Sequence, residues 1–152
     1  AMETGIDQSW RIDFTLHVAN NVFSAMTGSA LEIEASEVAE ASELVSNLFW
    51  QDGSTLTVRW GTSHTIGSSS DFSSLTGGTV AGNEVGDPLF ADDGAGDFVP
   101  GSGSPAVDMG DASIVEAVCA DFTSRYGLDI QVDLDGVARP QGAGWDAGPH
   151  EQ

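Results

Sequence analysis

Asn20–Ala35 reads NNVFSAMTGSALEIEA, and Ser46–Trp60 reads SNLFWQDGSTLTVRW. With one gap the two stretches superimpose: Asn21 on Asn47, Phe23 on Phe49, Gly28 on Gly53, Leu31 on Leu56 and Ile33 on Val58. The offset is 26 residues before the gap and 25 after it. Each stretch also alternates. Leu31 and Ile33 oppose Glu32 and Glu34, while Leu56, Val58 and Trp60 oppose Thr57 and Arg59. Period two marks a half-buried strand, because successive side chains of an extended chain point to opposite faces. Self-similarity at a fixed period of roughly 20–50 residues, built from short strands and with no amphipathic helix in each repeat, predicts a β-solenoid.

Stacking the repeats in register has consequences of its own. Parallel pairing sets Glu34 beside Arg59 and His17 beside Glu43, and it lays Asn21 on Asn47 at a turn. Working outward, Arg11–Val18 alternates with Ile12, Phe14, Leu16 and Val18 on one face and opens the stack. ASEVAEASELVSN (35–47) is expected to be a long connecting turn that enters the second rung near Leu44. The Gly/Ser/Thr-rich stretch 61–86 reads as a loosely wound third rung. ASIVEAVCADFTSRYG (112–127) is the best helix: Ile114, Val115, Val118 and Phe122 fall at helical spacing, Asp111 or Ser113 can cap its start, and Gly127 can stop it.

The chain has 152 residues, enough for one domain with a real core. Its four basic residues are all arginine and face 24 acidic ones, a formal charge of -20. That charge repels phosphate backbones and anionic lipid surfaces, so nucleic acid is not an expected partner. It suits a salty medium, where counter-ions screen self-repulsion. No apolar run approaches the length of a membrane span. Cys119 stands alone in the apolar setting IVEAVCADF and reads as a buried small hydrophobe.

GNEVGDPLFADDGAGDFVPGSGSPAVDMGD (82–111), followed by VDLDGVARPQGAGWDAGPHE (132–151), resembles the C-terminal end of bacterial right-handed parallel β-helix proteins. These are pectate-lyase-like in fold, and many are surface or secreted proteins of the choice-of-anchor type. In that family a GN-x-x-x-DPLF rung leads into a PGSPAID-x-G turn and then a D-x-D-G-x-x-RPQG…DIGAYE close. Here the close reads DAGPHE, with His150 in place of the aromatic, and IVEAVCADFTSRYGLDIQ is a longer insertion than is usual. The resemblance covers Gly82 to Glu151. It implies an all-β chain: a short right-handed parallel β-helix of about three rungs over residues 10–85, closed by a C-terminal cap over 86–152 that contains one short helix, all within a single domain 1–152. Leu89, Phe90 and Phe98 would drop into the end of the core, and Asp108 and Asp146 would accept backbone N–H bonds in tight turns.

Chemistry is sparser. Glycoside hydrolysis needs two carboxylates a few ångströms apart, and the outward strand positions offer only a short acidic face. Lyase chemistry wants a basic residue to take a proton, and Arg59 is the only arginine on the repeated strands. His17, His64 and His150 lack zinc spacing and have no evident nucleophile. No catalytic residue and no enzymatic activity is therefore expected. Calcium wants several oxygen ligands at close range; DDGAGD offers Asp92, Asp93 and Asp97, and DIQVDLDG offers Asp129, Asp133 and Asp135, its D-x-D-G resembling half an EF-hand loop. Among the tryptophans, Trp60 points inward by parity, while Trp50 follows inward Phe49 and is the aromatic best placed to stack on a ligand. The expected function is a non-enzymatic structural and interaction segment, the last rungs and cap of a secreted or cell-surface β-helix protein. The alternatives are the supporting part of a carbohydrate-active β-helix and a calcium-dependent adhesion module. Expected partners are upstream rungs or a second copy, met through the N-terminal edge strand 11–18, and polysaccharide. Residues 1–10 are too short for a capping helix over that edge, though Ile6 and Trp10 could plug the opening.

Overall fold

The computed structural model of the chain describes residues 16–24, 28–34, 38, 42–53 and 55–152. Most of the expected strand 11–18, the plug at Ile6 and Trp10, and most of the connecting turn between 35 and 41 lie outside the described residues. The strands, in chain order, are β1 (His17–Ala19), β2 (Val22–Ser24), β3 (Ser29–Glu34), β4 (Glu43–Val45), β5 (Leu48–Trp50), β6 (Leu56–Ile66), β7 (Thr79–Ala81), β8 (Glu84–Val85), β9 (Phe90–Asp92) and β10 (Asp97–Pro100). One helix follows, α1 (Ala112–Tyr126).

The strands form four small sheets: β1-β4-β7, β2-β5-β8 and β3-β6, all parallel, and the antiparallel pair β9-β10. His17 pairs with Glu43 and Phe23 with Phe49, the 26-residue offset of the sequence. The corners between successive strands have a common design. Asn20, Ser46 and Gly82 each take a left-handed backbone with φ of 59°, 53° and 63°. The residues after them are Asn21, Asn47 and Asn83, whose amides form a row. Asn21 N and Nδ2 each donate to Asn47 Oδ1 at 3.0 Å, and Asn47 N and Nδ2 donate to Asn83 Oδ1 at 3.1 and 2.9 Å. The asparagines that stack sit one residue after the left-handed position, which at the first corner is itself an asparagine, Asn20, and there their side chains satisfy backbone groups that the corner frees.

Between the parallel sheets lies the core. Leu44, Phe49, Val58 and Trp60 are fully enclosed, and Phe23, Phe49 and Phe72 stack with ring centroids 4.7 and 5.1 Å apart. Trp60 Nε1 donates to the Gly77 carbonyl at 2.8 Å, so the indole is buried without an unmet polar atom. Glu34 and Arg59 meet at 3.0 Å on the outside. The register of β3 on β6 departs from the expected one by two residues: Leu31 pairs with Val58 and Ile33 with Trp60, after an irregularity between Ser29 and Leu31.

The expectation of an all-β, right-handed parallel β-helix of about three rungs does not hold. The described residues form small sheets of two or three strands, parallel and antiparallel, with a 15-residue helix, and they make neither a solenoid nor a closed barrel. The physical reason is local. Among the described residues no third strand joins β3-β6. After β8 the chain meets Asp87-Pro88, where proline has no N–H to give a ladder and restrains the residue before it. It then doubles back as the antiparallel pair β9-β10. Leu89 and Phe98, expected in the core, are 44% and 45% exposed. The terminal helix is long rather than short, with Asp111 as N-cap and left-handed Gly127 as C-cap. No helix among the described residues is long and apolar enough to cross a membrane.

Candidate functional site

Parallel pairing puts the ends of β2 and β5 side by side, with Ser24 opposite Trp50. Just beyond them the Asp87–Phe90 stretch and Asp93 fold back, and Ser24, Trp50, Asp52, Asp87, Pro88, Leu89, Phe90 and Asp93 enclose an open cleft of about 460 Å³. Leu48 and Phe49 are wholly buried, and Trp50 is half-buried. The last residue of the strand thus offers an indole face at the mouth of a polar cleft.

The far wall is under strain. Leu89 has φ of 50°, a left-handed conformation disfavoured for a residue with a Cβ. It is held by two bonds, Leu89 N donating to Asp87 Oδ1 at 2.9 Å and Gly101 N donating to the Leu89 carbonyl at 2.7 Å. A Cβ at Gly101 would stand 2.7 Å from that carbonyl, so only glycine allows the contact. Strained residues fixed by their surroundings cluster at functional sites.

The expected calcium ligands are divided by this geometry. Asp93 lines the cleft. Asp92 caps the 3-10 turn Asp93–Ala95, its Oδ1 accepting from Ala95 N at 3.1 Å, and Asp97 Oδ1 accepts from Val99 N at 3.2 Å. Asp92 and Asp97 are Cα partners across β9-β10.

A second cluster lies at the chain's end. Asp133, Asp135 and His150 each bring a ligand atom within 4.8 Å of the others, a set able to hold a metal ion. The arrangement also works without one. Asp133 Oδ1 accepts from Asp135 N and Val137 N at 2.9 and 2.8 Å, its Oδ2 accepts from Glu151 N at 3.1 Å, and His150 Nδ1 lies 3.1 Å from Asp135 Oδ2. Burial disfavours ionised Asp133, but the backbone N–H donors outweigh it and hold this carboxyl below the usual carboxylate range. Nearby Asp146 is fully buried and accepts from Asp108 N and Gln152 N, each at 2.8 Å; there burial wins and raises its pKa. Arg139 bonds Glu151 at 2.7 Å and the Asp146 carbonyl at 2.8 Å. Asp108, as expected, accepts from Ala143 N and Gly144 N in a turn. From sequence, the D-x-D-G motif puts Asp133 and Asp135 forward as cation ligands together with Asp129; in the cluster His150, set aside for want of zinc spacing, stands in place of Asp129.

Two further expectations concern reactivity. Cys119 is buried, and burial raises its thiol pKa, with Asp129 adding to the effect. His64 does meet hydroxyls, Thr62 Oγ1 at 3.0 Å and Ser74 Oγ at 3.3 Å. Ser74, however, gives its proton to the Asp71 carbonyl at 2.7 Å, so the pair is not an activated nucleophile.

Comparison with known proteins adds no relative: no family model, no curated protein and no solved structure matches the chain. Nothing in those comparisons identifies it with the β-helix proteins that its C-terminal motifs resemble.

Proposed function

We propose that the chain is a non-enzymatic interaction module whose cleft at Trp50 takes a neutral polyhydroxyl ligand, a sugar unit of a polysaccharide met outside the cell. The observation that carries this reading is the meeting of three sequence-distant segments around one open cleft with an aromatic wall, Ser24 and the carboxylates of Asp87 and Asp93. A sugar ring offers an apolar face for the indole and hydroxyl donors for carboxylates. Anionic ligands are disfavoured by the charge of -20. The Asp87 carboxylate also accepts from Leu89 N in its turn, which suits holding a ligand better than transferring protons.

Isothermal titration with neutral hexasaccharides of β-1,4-glucan, β-1,4-mannan and α-1,4-glucan tests the reading. At least one should bind, and Trp50→Ala should weaken it about tenfold or more with the fold unchanged by circular dichroism. Failure of all three, or binding indifferent to Trp50→Ala, overturns it. Loss of binding in chelator would add calcium, held by Asp93 with Asp92 and Asp97, to the same proposal.

A further inference from the structure

Seven of the nine large apolar residues that stand exposed among the described residues lie between Val118 and Val137. The segment 128–135 alternates strictly, Leu128, Ile130, Val132 and Leu134 against Asp129, Gln131, Asp133 and Asp135. A half-buried extended segment normally turns its apolar side to the core. Here the apolar side faces out, and of the polar positions only Asp133 is buried. Asp133 is buried beneath three backbone N–H groups, while the four apolar side chains are 37% to 75% exposed.

The backbone of the segment is also half used. On one edge Arg139 N donates to the Gln131 carbonyl at 3.0 Å and Asp133 N to the Val137 carbonyl at 2.9 Å. The backbone groups of Ile130 and Val132 make no hydrogen bond among the described residues. Beside them, α1 buries only Cys119 and leaves Val118 and Tyr126 exposed. The gap between the helix and the body is an apolar groove of about 370 Å³, lined by Val118, Cys119, Ile130, Arg139 and Trp145 among others. Trp145 is buried at the floor of this groove, and its Nε1 has no hydrogen-bond partner among the described residues.

We propose that this face docks an extended segment of a partner protein that carries alternate apolar side chains and lysine or arginine between them. The segment would add as a strand along Leu128–Val132, because Leu134 lies in a turn and its N–H already donates to the Pro149 carbonyl at 3.1 Å. Its backbone would meet the free groups of Ile130 and Val132, and its apolar side chains would cover the exposed row. Charge selects the occupant. Asp121 lies beside Val118, Asp129 and Asp135 belong to the segment itself, and Arg125 and Arg139 are already paired with Asp121 and Glu151. A second copy would set this acidic rim against itself, and anionic lipid would be repelled. A basic strand is the complement on both counts.

Fluorescence anisotropy on the full chain tests this with a labelled peptide of four Lys-Val repeats and a control of four Glu-Val repeats. The basic peptide should bind saturably, one per chain, and the acidic one should not. Leu134→Asp, at the most exposed apolar position, should weaken binding about tenfold although it adds negative charge. Ile130→Ser provides the same reading should Leu134→Asp fail to fold. Binding that is unchanged or tightened by both variants would mean mere attraction to an acidic protein and would overturn the proposal. So would self-association of the chain in sedimentation that the same variants abolish, since the occupant would then be a second copy.

Discussion

Asn47 is completely buried and employs both polar atoms of its side chain. Its Oδ1 accepts from Asn21 N and Nδ2, and its Nδ2 donates to the carbonyls of Val18 and Val45 and to Asn83 Oδ1. Alanine at this position would strand several polar groups at once, and each buried group left unpaired costs more than an ordinary hydrogen bond is worth. Asn47→Ala should therefore destabilise the chain by about 3 kcal/mol, read as a fall in the urea midpoint with little change in slope. Serine, too short to reach, should do no better. Asn21 and Asn47 were legible in the sequence because 26 residues separate them, as they do Phe23 and Phe49. Asn83 was not, because it lies 36 residues beyond Asn47. Parity alone gave Trp50 its open face. The approach of Asp87 and Asp93 to it depends on how the chain doubles back after Pro88, which no local pattern encodes.

At the scale of elements, α1 shows how much local chemistry can settle. Asp111 Oδ1 accepts from Ser113 N at 2.9 Å and from the Ser113 hydroxyl at 2.5 Å. The hydroxyl bond above all holds this carboxyl below its usual range. The helix packs loosely, so a larger share of its stability comes from its caps. Asp111→Ala should cost about 1 kcal/mol and lower helicity at 222 nm before the sheets unfold, whereas a simultaneous loss would show the helix to be locked to the body. Both caps were readable because capping is local. The register of β3 against β6 was not. Its irregularity lets Ala30 and Leu31 both turn inward, and strict alternation forbids that. The larger misreading, a regular stack continued around a third face, came from treating the repeat as unbroken. Repeat units fix which strands can pair, but continuation depends on the chain's course after Asp87-Pro88, and there it turns antiparallel.

The whole molecule carries a charge of -20, and its ion pairs Arg59–Glu34 and Arg125–Asp121 are exposed and contribute little. Self-repulsion is then the dominant electrostatic effect on the compact state. Raising sodium chloride from about 0.1 M to about 1 M shortens the screening length from about 10 Å to about 3 Å, and the thermal midpoint should rise. A flat or falling midpoint would show that the acidic residues are already neutralised in pairs. The Asn21–Asn47 and Asn47–Asn83 steps make the same contacts, yet the second spans ten more residues. The excess is taken up around the 3-10 helix Ser69–Ser74, outside the parallel pairs, with Phe72 and Leu75 anchoring it to the core. The amide row fixes where each connection must begin and end and is indifferent to the length between. The connection through Ser69–Ser74 is thus a spacer whose extra length is tied back at one point, Ser69 Oγ accepting from Val85 N at 2.9 Å, so that the framework keeps its count.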